Sequence, residues 1–124
     1  MAAFEQEIRF ALVMYGGVSL AIYIYGVTQE FAHLVRATAE DSQKNLLPAS
    51  GTEEVYRELS SILTLSGGGQ PDSLLRTRFI VDIASGTSAG GINSIFLGRT
   101  LANGQSLDPI GALWLDEAGL EDLL

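Results

Sequence analysis

The stretch "RFIVDIASGTSAGG", residues 78–91, decides how the rest of the chain is read. Its first half, "RFIVDIA" (78–84), is a short apolar run rich in β-branched and aromatic residues, which predicts a strand. Its second half is a glycine turn, and "INSIFLGRTLA" behind it places Ile92, Ile95, Phe96 and Arg99 at helical spacing until Asn103 and Gly104 end the element. Gly86, Ser88 and Gly90 therefore form G-x-S-x-G between a strand and a helix. In that setting the pattern describes a nucleophile elbow, a strained turn whose small flanking residues let the chain bend while the serine projects. At a helix start the same serine also meets orphan N–H groups and a dipole that favour an anion.

A similar unit precedes it. "IRFALVM" (8–14) predicts a strand covered on both faces, "YGG" breaks it, and Leu20, Ile24, Val27, Phe31, Leu34 and Val35 form a helical stripe running to about Ala39. The 19 uncharged residues from Phe10 to Thr28 approach the length of a membrane span. Glycines, tyrosines and Ser19 dilute them, the preceding segment is more acidic than basic, and no cleavage site closes a short apolar core. A strand, turn and helix are expected instead, in a cytoplasmic protein.

Between the two units lies a variable connection, 40–75. "EDSQKNLLPASGTEE" (40–54) and "SGGGQPDS" (66–73) have loop composition, and "TEEVYRELSSILTL" between them predicts a helix with Thr52 as N-cap. A last helix is expected in "DPIGALWLDEAGLEDLL", with Asp108 as N-cap, Pro109 at the first helical position and Trp114, Leu113 and Leu115 in the core or at an interface with further chain. The fold class is α/β. Two parallel strands, each followed by a helix, would bring both glycine turns to the carboxyl edge of one sheet.

Composition narrows the functions. The 124 residues are globular in composition and about one domain long. A net charge of −8 disfavours nucleic acid. Absence of cysteine removes disulfides and thiolate metal sites, and no cofactor or metal is expected.

For acyl transfer, Ser88 needs oxyanion donors and a base. The amides around Gly16, Gly17 and Val18 and that of Ala89 are the candidate donors. The sole histidine, His33, precedes Ser88 in the middle of the first predicted helix and is expected to be structural, so a Ser, Asp, His order is not encoded. Asp82, Asp108 and Asp116 are read first as surface, cap or structural residues, Arg99 as a solvated charge, and Asn93 and Ser94 either as polar residues able to bond across the turn or as ordinary helix-start polarity.

"RFALVMYGGVSLAIYIYGV" followed by "GTSAGGINSIFLG" resembles the amino-terminal part of the patatin-like phospholipase family, in its bacterial patatin-related branch. The resemblance implies a serine acyl hydrolase acting on lipid acyl esters through a Ser-Asp dyad, on a three-layer α/β/α fold, with transient contact with a lipid surface. Ser88 matches the nucleophile, and Gly16 and Gly17 match two oxyanion-loop glycines. Two features depart from the family pattern. The loop's basic residue is missing from Tyr15–Leu20, and the family's D-G-[GA] aspartate occurs nowhere in the chain. The expectation is a partial domain over 1–124, truncated after the elbow helix, poorly stable and inactive alone, with its catalytic Asp outside this chain. The alternatives are an inactive patatin-like scaffold and a phosphate-binding α/β domain; the latter lacks the Lys of G-x-x-x-x-G-K-[ST] and any G-x-G-x-x-G.

Overall fold

The computed structural model describes residues 4–66 and 75–117. Strand β1 (Phe4–Met14) leads through a 3-10 turn (Val18–Leu20) into helix α1 (Ala21–Ala37). Helix α2 (Thr52–Ser66), strand β2 (Leu75–Gly86), helix α3 (Ala89–Asn103) and helix α4 (Asp108–Glu117) follow. The two strands pair in parallel, so the architecture is α/β. Residues 67–74 and the end of the last predicted helix, 118–124, lie outside the described residues. The uncharged stretch 10–28 divides into strand, turn and helix, and no helix among the described residues is long and apolar enough to cross a membrane.

Close packing divides the chain into two compact units. One comprises Met1–Phe10 with His33–Asp82, the other Ala11–Ala32 with Ile83–Leu124.

In the first unit, both strands extend beyond the apolar runs that predict them. Charge explains the extension: Glu5 on β1 pairs with Arg76 (3.8 Å) and Arg78 (3.7 Å) on β2, and Arg76 also pairs with Glu40. Hydrophobic periodicity does not register such pairs. The backbone of β2 on the side away from β1 is closed by hydroxyls. Ser60 Oγ donates to Thr77 O at 2.7 Å, Thr77 N donates to Thr64 Oγ1 at 3.0 Å, and Phe79 N donates to Thr38 Oγ1 at 2.9 Å. Residues 77 and 79 point their amide groups to one edge, so α2 and the end of α1 block what is otherwise a free strand edge. Glu53, buried at the start of α2, takes Arg36 Nε at 3.1 Å and His33 Nδ1 at 3.2 Å. His33 is thus a structural partner of α2, as its position in the sequence suggests.

The loop after α1 is ordered by Asp41. Its Oδ1 accepts the N–H groups of Gln43 (2.8 Å) and Asn45 (2.9 Å), and those backbone donors, that of Asn45 foremost, hold its carboxyl below the ordinary aspartate value.

In the second unit the buried face of α1 differs from the predicted stripe. Ala21, Ile24 and Thr28 are buried, whereas Leu20 and Val27 are exposed. Small side chains permit close approach here, and Thr28 satisfies its hydroxyl on Ile24 O at 2.7 Å. Helix α3 likewise buries Gly90, Asn93, Ser94 and Leu97 and exposes Ile92 and Ile95. Its carboxyl end is closed by Gly104 in the left-handed conformation (φ 63°), whose N–H bonds Thr100 O, as "NG" predicts. Helix α4 begins at Asp108 itself. Tyr25 donates to Leu107 O at 3.2 Å, and desolvation, with the Asp108 charge second, raises its phenol pKa. Trp114 Nε1 donates to Asn93 Oδ1 at 3.2 Å, and Leu113 and Leu115 are exposed, which goes against the core reading of these two and leaves the interface reading open.

The expectation that β1 is covered on both faces is corrected. Residues 8, 10, 12 and 14 are partly covered, while 9, 11 and 13 face outward. Val13 is 63% exposed and Ile83 on β2 is 61% exposed, so in this unit an apolar strand face meets solvent.

The hydroxyl edge of β2 makes a test. Thr64→Val leaves the buried Thr77 N–H and hydroxyl without their partner, for a cost of about 1–3 kcal/mol. Ser61→Ala, at an exposed hydroxyl of the same helix, should change stability by less than about 0.5 kcal/mol. Denaturant unfolding checks both.

Candidate functional site

The site lies within the second unit, where the turn after β1 meets the turn after β2. Steric exclusion brings them together. A Cβ built on Gly16 would fall under 3.0 Å from Thr87 O and Ser88 Cβ. One on Gly90 would overlap Met14 O, and one on Gly86 would overlap both Met14 O and the Gly90 carbonyl. Apart from Ser88 Cβ, whose position the backbone fixes, these contacts are to backbone, which cannot swing aside as a side-chain tip can. The elbow glycines are therefore needed for proximity to the end of β1 as well as for the bend. Thr87 N donates to Met14 O at 3.1 Å and closes the approach.

Ser88 carries the turn. Its φ of 51° and ψ of −124° lie outside the regions that non-glycine residues ordinarily occupy. Such backbone costs of order 1–3 kcal/mol and persists only where its surroundings impose it. Ser88 is also the residue before the first turn of α3, the position where serine usually caps a helix with its hydroxyl. Here it makes no side-chain cap bond, and the residue is exposed. A serine that holds an unfavourable backbone and leaves its hydroxyl out of the cap is not explained as a helix start.

The amides around it differ in availability. Gly16 N donates to Thr87 Oγ1 at 3.0 Å, so this predicted oxyanion donor is engaged inside the protein and its demonstrable part is steric. The N–H groups of Gly17, Val18 and Ala89 have no protein acceptor among the described residues. That of Ala89 is one of the orphans of the first turn of α3.

Below the elbow, Asn93 Nδ2 bonds Ala89 O at 3.0 Å and Ser94 Oγ bonds Gly90 O at 2.8 Å. Both tie down the first turn of α3 from within the helix, and Asn93 is held in turn by Trp114. They do not bond across the elbow.

The aspartates read first as structural have such partners. Asp82 holds Arg9 in a two-pronged pair at 2.9 and 3.1 Å, and Asp108 accepts from Gln29 at 3.0 Å. Asp116 and Arg99 are exposed. No group of three or more His, Asp or Glu side chains among the described residues is placed to hold a metal ion. Sequence reasoning missed Thr87, because G-x-S-x-G leaves its second position open. Its bond to Gly16 joins residues 71 apart, and no local pattern announces it.

No protein-family model matches the chain, and no solved structure matches it. Among curated proteins, the "Uncharacterized membrane protein Rv3479" of Mycobacterium tuberculosis is 40% identical to it over 124 residues. That similarity covers 100% of this chain and 11% of Rv3479, so the chain matches a small part of a much longer protein.

The glycine packing predicts opposite effects at two positions of α3. Gly90→Ala places a methyl in the Met14 carbonyl and should cost at least about 1–3 kcal/mol. Gly98→Ala meets nothing within 4 Å and should gain about 0.4–1 kcal/mol from helix propensity. Thermal or denaturant melts of the two variants decide it.

Proposed function

We propose that this chain carries the nucleophile and oxyanion part of a patatin-like serine acyl hydrolase, acting on lipid acyl esters. The observation that supports it most is the state of Ser88: strained backbone, exposed, its hydroxyl not spent on a cap, and set against a glycine turn with unengaged amides.

In this reading Ser88 Oγ attacks the acyl carbonyl carbon. Its proton passes to an aspartate carboxylate contributed by chain outside these residues, in the manner of a Ser-Asp dyad, since His33 is engaged by Glu53. The carbonyl oxygen takes up negative charge and is met by the N–H groups of Gly17, Val18 and Ala89, with the dipole of α3 behind them. The alcohol leaves with the proton, and water releases the acid from the acyl-serine by the reverse sequence. A three-layer α/β/α domain completed by further strands would cover the exposed face bearing Val13 and Ile83.

Free amides beside a helix start also suit a phosphate, which is the second reading. A fluorophosphonate probe separates the two. Acyl-hydrolase chemistry predicts covalent labelling of the full-length protein that disappears in Ser88→Ala, with p-nitrophenyl ester hydrolysis falling at least about 1,000-fold. No labelling at Ser88, with saturable binding of inorganic phosphate that Ser88→Ala weakens, would favour the anion site. Neither activity would leave a scaffold.

A further inference from the structure

Thr87 stands between Gly86 and Ser88, at a position where the hydrolase pattern asks for no particular residue. Two of its polar groups reach the opposite turn. Its N–H donates to Met14 O at 3.1 Å, and its Oγ1 accepts the N–H of Gly16 at 3.0 Å. Met14 ends β1 and Gly16 lies two residues on, so one residue of the elbow holds the glycine turn on both sides of Tyr15.

This grip has a direction. A peptide group is planar, so fixing the Gly16 N–H fixes the plane of the Tyr15–Gly16 peptide. That plane sets the start of the next two, which carry the N–H groups of Gly17 and Val18. Glycine at 16 and 17 leaves those planes free to rotate unless something outside the turn holds them. The hydrogen bond from Gly16 is exposed, so water can replace Thr87 as acceptor at little cost to the fold. Water does not replace the direction.

We infer that Thr87 is a positioning residue, whose hydroxyl oxygen aims the Gly17 and Val18 amides at the developing oxyanion. This rests on the acyl-hydrolase reading of Ser88 and deepens it. Thr87 forms no bond with substrate in this role; it acts through Gly16.

Three variants of the full-length protein test it: Thr87→Val, which keeps the β-branch and removes the acceptor, Thr87→Ser, which keeps the acceptor, and Ser88→Ala. Each is assayed on p-nitrophenyl butyrate and for affinity toward a trifluoromethyl ketone, which forms a tetrahedral oxyanion on the serine. Thr87→Val should lower kcat about 10- to 100-fold with KM within about threefold, and weaken the ketone in step with kcat. Thr87→Ser should recover most of both, and the denaturation midpoints of the two should match that of the parent. Wild-type kcat in Thr87→Val, a kcat loss without loss of ketone affinity, or a folded Thr87→Ser as impaired as Thr87→Val would each overturn the role of Thr87. If Thr87→Val does not fold, Thr87→Ala supplies the same comparison. Full hydrolysis retained in Ser88→Ala would instead overturn the reading of Ser88, so the two failures are distinct.

Discussion

Two turns of backbone occupy space that a single methyl group would close. Met14 O lies where Cβ atoms on Gly86 and Gly90 would be, and Thr87 O where one on Gly16 would be. Everything particular about the second unit follows from that exclusion. The elbow can bend back over the end of β1, Thr87 can reach Met14 and Gly16, and Ser88 is held at φ 51° because the chain on either side has no room to relax. Strain at Ser88 is thus supported by packing around it rather than by a side-chain cap bond of its own.

Within each unit the interior is held by hydrogen bonding as much as by apolar bulk. Among the described residues seven apolar ones are buried, against nine polar or charged ones, including Thr28, Asn93, Ser94 and Thr100 in the second unit. Most of these spend their side chains locally, on carbonyls one turn back or on an adjoining strand. Val13 and Ile83 face out beside this small, polar interior, so an apolar strand face meets solvent.

How much of this could be read beforehand depended on the kind of interaction. The order of elements and the two glycine turns were legible, since strands, breaks and helices leave marks in apolar spacing and glycine placement. The elbow could be placed because three small residues sit at fixed offsets from Ser88. Burial was read less well. Leu20, Val27, Ile92 and Ile95 look like core by hydropathy, yet helices that approach closely bury Ala21, Thr28, Gly90 and Asn93 instead. The apolar content of β1 predicts cover on both faces, but it reports what a strand prefers and not which neighbours are at hand. The polar ends of both strands, joined through Glu5, Arg76 and Arg78, and the engagement of Gly16 by Thr87 depend on pairs distant in sequence, and no local pattern announces them.

The central proposal is that Ser88 and the amides of Gly17, Val18 and Ala89 together receive a reacting carbonyl. A crystal structure of the full-length protein after reaction with a fluorophosphonate tests it most directly. The account predicts a covalent bond from Ser88 Oγ to phosphorus, with the phosphoryl oxygen within about 2.7–3.1 Å of the amides of Gly17 or Val18 and of Ala89. An unmodified Ser88, or an adduct whose phosphoryl oxygen turns away from those amides into solvent, would contradict it.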